Sequence, residues 1–290
     1  MTETIALQSI QVDGFTAYDG IDPPADTDGN TYIWQTIEGW FGGVDVRGGP
    51  VDRPLADGAY DGPAPFQGRT VTIGGTLVAT TRAGLQRGLD RVAAVLSTSV
   101  RRGTLVVDEP QRGVSRQADV RLGSHTMVER KSQYQADWSL VLYASDPARY
   151  GTAAHVITIL PFQAGSGRTY NLIPNRHYGA NSRNGIGTVT NAGNTSTPLV
   201  ITFVGPCTNP GIRLVGGNEM QYLGVLSNQE QVVIDTQART VLYNGANRRR
   251  NLSAASRWLY CPPGRTDLYH WVDNVSKTGS CSVAWRDAWS

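Results

Sequence analysis

The sequence predicts a mainly β protein of two domains: a β-sandwich or split-barrel-like domain with one α-helix, followed by a β-sandwich or jelly roll. Short segments in which apolar and polar residues alternate recur along the chain, and turns rich in glycine and proline separate them. One segment, residues 82–98, instead repeats its apolar residues with the period of a helix. A proline-bearing stop at 146–151 follows a strongly alternating strand, so the predicted domains are 1–150 and 151–290.

The first domain is predicted to pack its strands against the helix. The strands are expected at residues 5–12, 31–38, 69–80, 105–108, 118–122 and 134–143. The apolar stripe of the helix consists of Leu85, Leu89, Val92 and Leu96. Its N-cap is Thr80 or Thr81. Gly84 and Gly88 weaken the helix, so we expect its stability to depend on docking against a sheet.

Two segments of the first domain, 13–30 and 39–68, are predicted as loops because they are rich in Gly, Pro and Asp. The second is long enough to be functional. Residues 1–62 hold 11 acidic residues against two arginines, a net charge of −9. These carboxylates either solvate outer loops or line a channel from which they repel a polyanion.

The second domain is predicted to be entirely β. Its strands are expected at 156–160, 199–204, 212–215, 231–235, 241–243 and 281–286. In the last of these, Cys281, Val283 and Trp285 share one face, so this strand should be tied into the core. Regular short strands with turns between them are typical of a sandwich.

The cysteines and histidines do not predict a metal site. Cys207, Cys261 and Cys281 are widely spaced, and no histidine lies at metal-ligand spacing from them. They are predicted to be buried free thiols. A Cys261–Cys281 disulfide is the alternative if their strands are neighbours.

No motif predicts catalysis. The sequence has no nucleophile elbow, phosphate loop or zinc-protease motif, and the six acidic residues of 151–290 are too scattered for paired carboxylates. Asp267 and His270 are predicted to be a surface or strand-edge pair and not a dyad. We therefore expect no catalytic residue and no cofactor.

The charge distribution is asymmetric. Residues 1–150 carry 14 Lys/Arg and 18 Asp/Glu, a net charge of −4, whereas 151–290 carry 12 and 6, a net charge of +6. One basic cluster consists of Arg248, Arg249 and Arg250. It is predicted to lie in a solvated hairpin turn, and the alternative is that it contacts an anion or a partner protein. This cluster is too small for a nucleic-acid surface. Neither a signal peptide nor membrane insertion is expected.

Several different short motifs follow one another over nearly the whole chain. They are RTVTIGGTL at 69–77, WSLVL at 138–142, DPARY at 146–150, VTNAGN at 189–194, PLVI at 198–201, VIDT at 233–236 and WRDAW at 285–289. In sequence and spacing these motifs resemble those of siphophage distal tail proteins. The resemblance implies a ring-forming hub domain at 1–150 and a galectin-like sandwich at 151–290.

The resemblance also implies a function. Such a protein is a structural virion protein whose homohexameric ring at the tail tip connects the tail tube to the host-adsorption apparatus, after assembly in the host cytoplasm. Its expected partners are further copies of itself, the tail tube protein, the tape measure protein and a hub or receptor-binding protein, without sequence-specific nucleic acid. The alternative is a carbohydrate-binding tail module for host wall glycan, with Arg176, His177 and Asn181 as contacts, although their order differs from that of galectins.

Overall fold

The computed structural model describes residues 9–20, 23–97, 102–110, 113–164, 183–273 and 278–290. The chain divides into a first unit, Met1–Thr152 with Ser290, and a second unit, Ala153–Trp289. Strands make up most of the regular structure, and the described residues contain a single α-helix. The predicted mainly β fold class is confirmed.

The first unit contains eleven described strands and the helix. They are β1 Ser9–Val12, β2 Phe15–Tyr18, β3 Asn30–Glu38, β4 Val51–Asp52, β5 Ala59–Tyr60, β6 Arg69–Ala79, α1 Arg82–Ala94, β7 Gly103–Glu109, β8 Val114–Leu122, β9 Met127–Arg130, β10 Gln135–Ala144 and β11 Arg149–Gly151. Along the main sheet of this unit the order is β11-β8-β7-β1-β2-β3-β6-β10-β9. A second pairing between β8 and β10, through Leu122 and Leu142, closes seven of these strands into a barrel.

Strand β2 lies in a segment predicted as a loop, so that prediction was wrong. Asp13 and Gly14 have φ of +49° and +75°, the left-handed conformation that a two-residue hairpin turn between β1 and β2 requires. The ring of Phe15 then packs edge-on against Tyr32 and Trp138, with centroids 5.0 and 5.2 Å apart. The Asp-Gly pair was the signal for this hairpin.

The helix begins where the sequence predicts and ends earlier. The side chain of Thr81 accepts a hydrogen bond from the Gly84 amide at 2.9 Å, as an N-cap should. The helix stops at Ala94 because Leu96 has a φ of +49° and donates its amide to the Asp13 carboxylate. Leu96 is nevertheless fully buried, as the apolar stripe predicts.

Gly88 allows the helix to pack closely against the sheet. A Cβ on Gly88 would lie 2.8 Å from a methyl group of Leu77, in strand β6. The bare backbone therefore lets α1 approach the sheet closely, and this gain offsets the low helix propensity of glycine.

The second unit contains strands β12 to β26. They are β12 His155–Ile159, β13 Ile186–Asn191, β14 Thr197–Pro198, β15 Val200–Val204, β16 Cys207–Thr208, β17 Gly211–Leu214, β18 Glu219–Gln221, β19 Val225–Leu226, β20 Gln231–Asp235, β21 Thr240–Tyr243, β22 Ala246–Asn247, β23 Tyr260–Cys261, β24 Gly264–Trp271, β25 Ser280–Trp285 and β26 Ala288–Trp289. A six-stranded sheet, β12-β25-β15-β20-β21-β22, and a four-stranded sheet, β13-β24-β17-β18, share one hydrophobic core. This is the predicted β-sandwich.

The predicted last strand is central in the second unit. β25 pairs with β12 on one side and with β15 on the other, and its Val283 is fully buried. Two long strands, β13 and β24, were missed by the sequence analysis because their inward faces hold few large apolar residues.

The three cysteines are free and buried, as predicted, and no Cys261–Cys281 disulfide forms. Burial raises the pKa of the Cys207 thiol to about 11 and that of Cys261 to about 12. Burial also raises the pKa of Cys281. All three thiols therefore stay protonated and unreactive near neutral pH.

Asp267 and His270 do not form the predicted surface pair. Residues three apart on β24 point to opposite faces of the sheet, so His270 is fully buried while Asp267 lies on the outer face. In the core, His270 stacks on Phe203, with centroids 5.6 Å apart, and its Nδ1 bonds to the Gly211 carbonyl at 2.8 Å.

Candidate assembly surfaces

The segment predicted as a long loop is an antiparallel arm, residues 41–67. Near its base the Arg47 amide donates to the Pro65 carbonyl and the Gln67 amide to the Asp45 carbonyl, both at 2.7 Å. Further out, the arm continues as the β4–β5 hairpin. The prediction of a structureless loop was therefore wrong, although its surface position is as expected.

The arm exposes apolar side chains that no other described part of the first unit covers. Its exposed residues are Phe41, Val46, Val51, Leu55, Tyr60 and Phe66, and Leu55 is 100% exposed. Asp52, Asp57 and Asp61 are exposed beside them. Apolar side chains clustered within a charged rim are typical of a surface that another protein covers.

Two buried arginines hold the root of the arm. Arg69 is 2% exposed, and its Nη1 donates to the carbonyls of Gly39, Trp40 and Gly42 at 2.7, 3.1 and 2.9 Å. Its Nε donates to the Pro147 carbonyl at 3.1 Å. Arg149 donates to the same Trp40 carbonyl at 2.6 Å. The two arginines therefore bind four backbone carbonyls at this root, and no pattern in the sequence predicts these contacts.

Burial lowers the pKa of Arg69, but carbonyl oxygens compensate the guanidinium on several sides. The root also requires glycine at position 39. Gly39 has a φ of +75°, and a Cβ there would lie 2.0 Å from the Thr70 carbonyl oxygen. The direction in which the arm leaves the barrel is thus fixed by buried contacts.

Some of the acidic residues predicted either to solvate outer loops or to line a channel are engaged within the first unit. The Asp26 carboxylate accepts from the Asn30 amide at 2.8 Å and from the Tyr32 hydroxyl at 3.1 Å. Burial alone would raise the pKa of Asp26, but the hydrogen bonds from Asn30 and Asp28 lower it overall. Asp28 pairs with Arg87 at 2.8 Å. These carboxylates stabilise their own loop, whereas those of the arm remain exposed.

Strand β9 gives the first unit a second exposed surface. It pairs with β10 through residues Met127–Arg130, and every residue of β9 is exposed. Met127 is 61% and Val128 41% exposed. An edge strand with apolar side chains offers unpaired backbone groups to a neighbouring chain.

In the second unit, two of the sequence motifs meet. The indole Nε1 of Trp285 donates to the Thr190 carbonyl at 3.0 Å, and Asp287 accepts from the Ala192 amide at 2.9 Å. A Cβ on Gly193 would lie 1.7 Å from the Ala288 carbonyl oxygen, so only glycine fits there. The NAGN and WRDAW motifs therefore lock the terminal segment onto the sandwich and have a structural role.

Of the residues predicted to contact a partner or a glycan, the arginine cluster lies within the described part of the chain. Arg248 precedes a short 3-10 helix, Arg249–Asn251, and Arg249 and Arg250 are exposed. The Arg249 guanidinium lies 5.4 Å from the centroid of Trp258. Arg176, His177 and Asn181 lie outside the described residues.

Within the ranges that the structure describes, no group of three or more His, Cys, Asp or Glu side chains is arranged to hold a metal ion. No described helix is long and apolar enough to cross a bilayer. In the first unit, the arm and strand β9 expose apolar side chains.

Residues 192–289 match the family model of the siphovirus-type tail component, C-terminal domain. The resemblance predicted from the motifs is thereby confirmed over these residues, which are similar to the C-terminal domain of a siphovirus-type tail component.

Solved structures align with most of the chain. The Dit (gp 19.1) protein of phage SPP1, presented as a paradigm of the hub adsorption apparatus in phages that infect Gram-positive bacteria, aligns with a TM-score of 0.66 and 14% identity over 97% of this chain and 98% of its own. A chain of the phage P2 baseplate in its activated conformation with Ca aligns with a TM-score of 0.49 and 11% identity, over 95% of this chain and 97% of that one. No curated protein matches the chain.

Proposed function

We propose that this chain is the subunit of a homohexameric distal tail ring, a structural virion protein that connects the tail tube to the host-adsorption apparatus. Residues 1–150 form the ring and residues 151–290 a separate sandwich domain. The observation that carries the proposal is the arm, whose exposed apolar side chains and buried root suit it to contact a neighbouring subunit. The shared fold with a hub protein supports the same role.

A closed ring needs two different patches on each subunit, because head-to-tail contacts are heterologous. The first unit offers two such patches, the arm and the β9 edge. In a ring, the arm of one subunit covers a surface of the next, and the apolar residues that it exposes in isolation become buried. Burial of a side chain such as Leu55 or Phe66 contributes about 1.5–3 kcal/mol.

The ring subunit acts without catalysis, by positioning other tail proteins. Its proposed partners are further copies of itself, the tail tube protein, the tape measure protein and a hub or receptor-binding protein. It lies at the tail tip of the virion after assembly in the host cytoplasm. The family match, to a structural tail component, supports this role.

Removing the arm is expected to abolish assembly and leave the fold intact. A chain in which a short Gly-Ser linker replaces residues 43–66 should elute as a monomer, because those residues supply the ring contact but no side chain to the core. Its circular dichroism spectrum should match that of the full chain. Size-exclusion chromatography with light scattering measures the mass, and six-fold assemblies of the deletion variant would contradict the assignment.

A pair of double variants separates the arm from general surface hydrophobicity. Leu55→Ser with Phe66→Ser changes two exposed arm residues, whereas Val215→Ser with Val225→Ser changes two residues of similar exposure in the second unit. The first pair is expected to weaken assembly more than about 100-fold, from the apolar burial lost at each contact. The second pair should assemble like the unmodified chain.

A further inference from the structure

Aromatic rings line the outer face of the four-stranded sheet in the second unit. Tyr269 and Trp271 alternate on β24 with the buried Leu268 and His270, so both point away from the core and are partly exposed. Their ring centroids are 6.1 Å apart and their planes differ by 19°. Phe162, which is 41% exposed, lies on the other side of Tyr269 with its centroid 6.1 Å away.

The indole of Trp271 lies across the neighbouring strand. Gly211 pairs with Trp271, and a Cβ on Gly211 would lie 2.2 Å from Cζ2 of the indole. The ring thus occupies the space that a side chain at position 211 would fill. With the plane of Tyr269 nearly parallel, the two rings form an aromatic platform, defined here as Phe162, Tyr269 and Trp271.

Polar side chains surround this aromatic platform. The Arg213 guanidinium lies 4.8 Å from the centroid of Tyr269. The Asp267 carboxylate accepts from the Thr188 hydroxyl at 2.7 Å and from Arg265 at 3.4 Å. The Thr188 hydrogen bond lowers the pKa of Asp267, so this group is a carboxylate near neutral pH.

The other sheet of the sandwich serves as an internal comparison. On strands β12, β15 and β25 its outer face carries small or branched uncharged side chains: Val156, Thr158, Val200, Thr202, Ser282 and Ala284. Asp235 lies opposite Val200 on the neighbouring strand β20. These strands carry no row of aromatic side chains like that of β24.

We propose that the aromatic platform binds a glycan, with a pyranose ring stacked on Trp271 and hydroxyl groups held by Asp267 and by Arg213, which lies over the ring of Tyr269. A pyranose presents an apolar C–H face to an aromatic ring and hydroxyls at its edge, which is the pattern of this surface. A purely apolar partner would leave the charged rim unpaired. The net charge of +6 on residues 151–290 favours anionic over cationic glycans. The inference is independent of ring formation.

Binding is tested with the full chain by native affinity electrophoresis in gels containing a β-1,4-glucan, an α-glucan, a galactan, a soluble chitin derivative or soluble peptidoglycan. Titration with the corresponding oligosaccharides, followed by tryptophan fluorescence, gives the affinity. Tyr269→Ala and Trp271→Phe are each expected to weaken binding about tenfold, the effect of one aromatic contact. Tyr134→Ala, which removes an exposed aromatic ring of the first unit outside the arm and β9, is the matched control and should bind normally.

Two results overturn the proposal: no retardation by any of the five glycans, or retardation that Tyr269→Ala and Trp271→Phe leave unchanged. Thermal melts of each variant show that the sandwich is folded, and Trp271→Phe keeps a ring over Gly211 for this purpose. Light scattering on the same samples reports ring assembly separately, so failure of the glycan proposal and failure of the ring proposal remain distinct.

Discussion

Replacing Arg69 with methionine is expected to lower the free energy of unfolding of the first unit by about 3–5 kcal/mol. Methionine keeps much of the apolar volume but removes every donor. The carbonyls of Gly39, Trp40, Gly42 and Pro147 then lose the guanidinium that they share. A buried acceptor left without a donor costs about 1–3 kcal/mol, and Arg149 compensates only at Trp40.

Chemical denaturation of the full chain, followed by a signal from the first unit, measures this loss. Arg130→Met is the matched control, because Arg130 is exposed and its replacement should change stability by less than about 0.5 kcal/mol. Arg69→Lys should fall between the two, since one ammonium cannot replace the forked guanidinium. If Arg69→Met unfolds like the control, the arm does not depend on this root.

Acid is expected to destabilise the second unit through His270. Burial lowers the pKa of His270 to about 4, against an ordinary value of 6.5. Above pH 6.5 the side chain is neutral in both states. Below it, the unfolded chain takes up a proton that the folded chain does not, so stability falls with pH until about pH 4. The total loss is about 3 kcal/mol, at about 1.4 kcal/mol for each pH unit.

The variant His270→Gln removes this titration and keeps a donor for the Gly211 carbonyl. Its free energy of unfolding should fall by about 3 kcal/mol less than that of the unmodified chain between pH 7 and pH 4. His125→Gln, at an exposed position, should keep the original slope. Parallel pH profiles for the unmodified chain and His270→Gln would show that His270 is not the group responsible.

The sequence predicts the fold wherever one face of an element is strongly apolar. Every second residue of strand β10 is buried and apolar, and α1 has a clear stripe, so both were found. Strand β24 was missed because its inward face includes His270, and β2 because a short hairpin was hidden in a segment rich in Asp and Gly. Patterns of hydrophobicity do not reveal such strands.

The candidate surfaces were less predictable than the fold. Composition placed residues 39–68 at the surface, but the root of the arm depends on Arg69 and Pro147, which are 78 positions apart in the chain. The aromatic platform depends on the pairing of Gly211 with Trp271, and this register follows from the assembled sheet. Contacts of this kind join residues that are far apart in the chain, so the local sequence pattern does not predict them.

The proposed closed ring, formed through the arm, is tested by negative-stain imaging of the purified full chain combined with its mass from light scattering. We expect particles with six-fold symmetry and a mass six times that of the 31.3 kDa chain. A protein that stays monomeric at every concentration up to about 1 mM, where even weak self-association is populated, would contradict it.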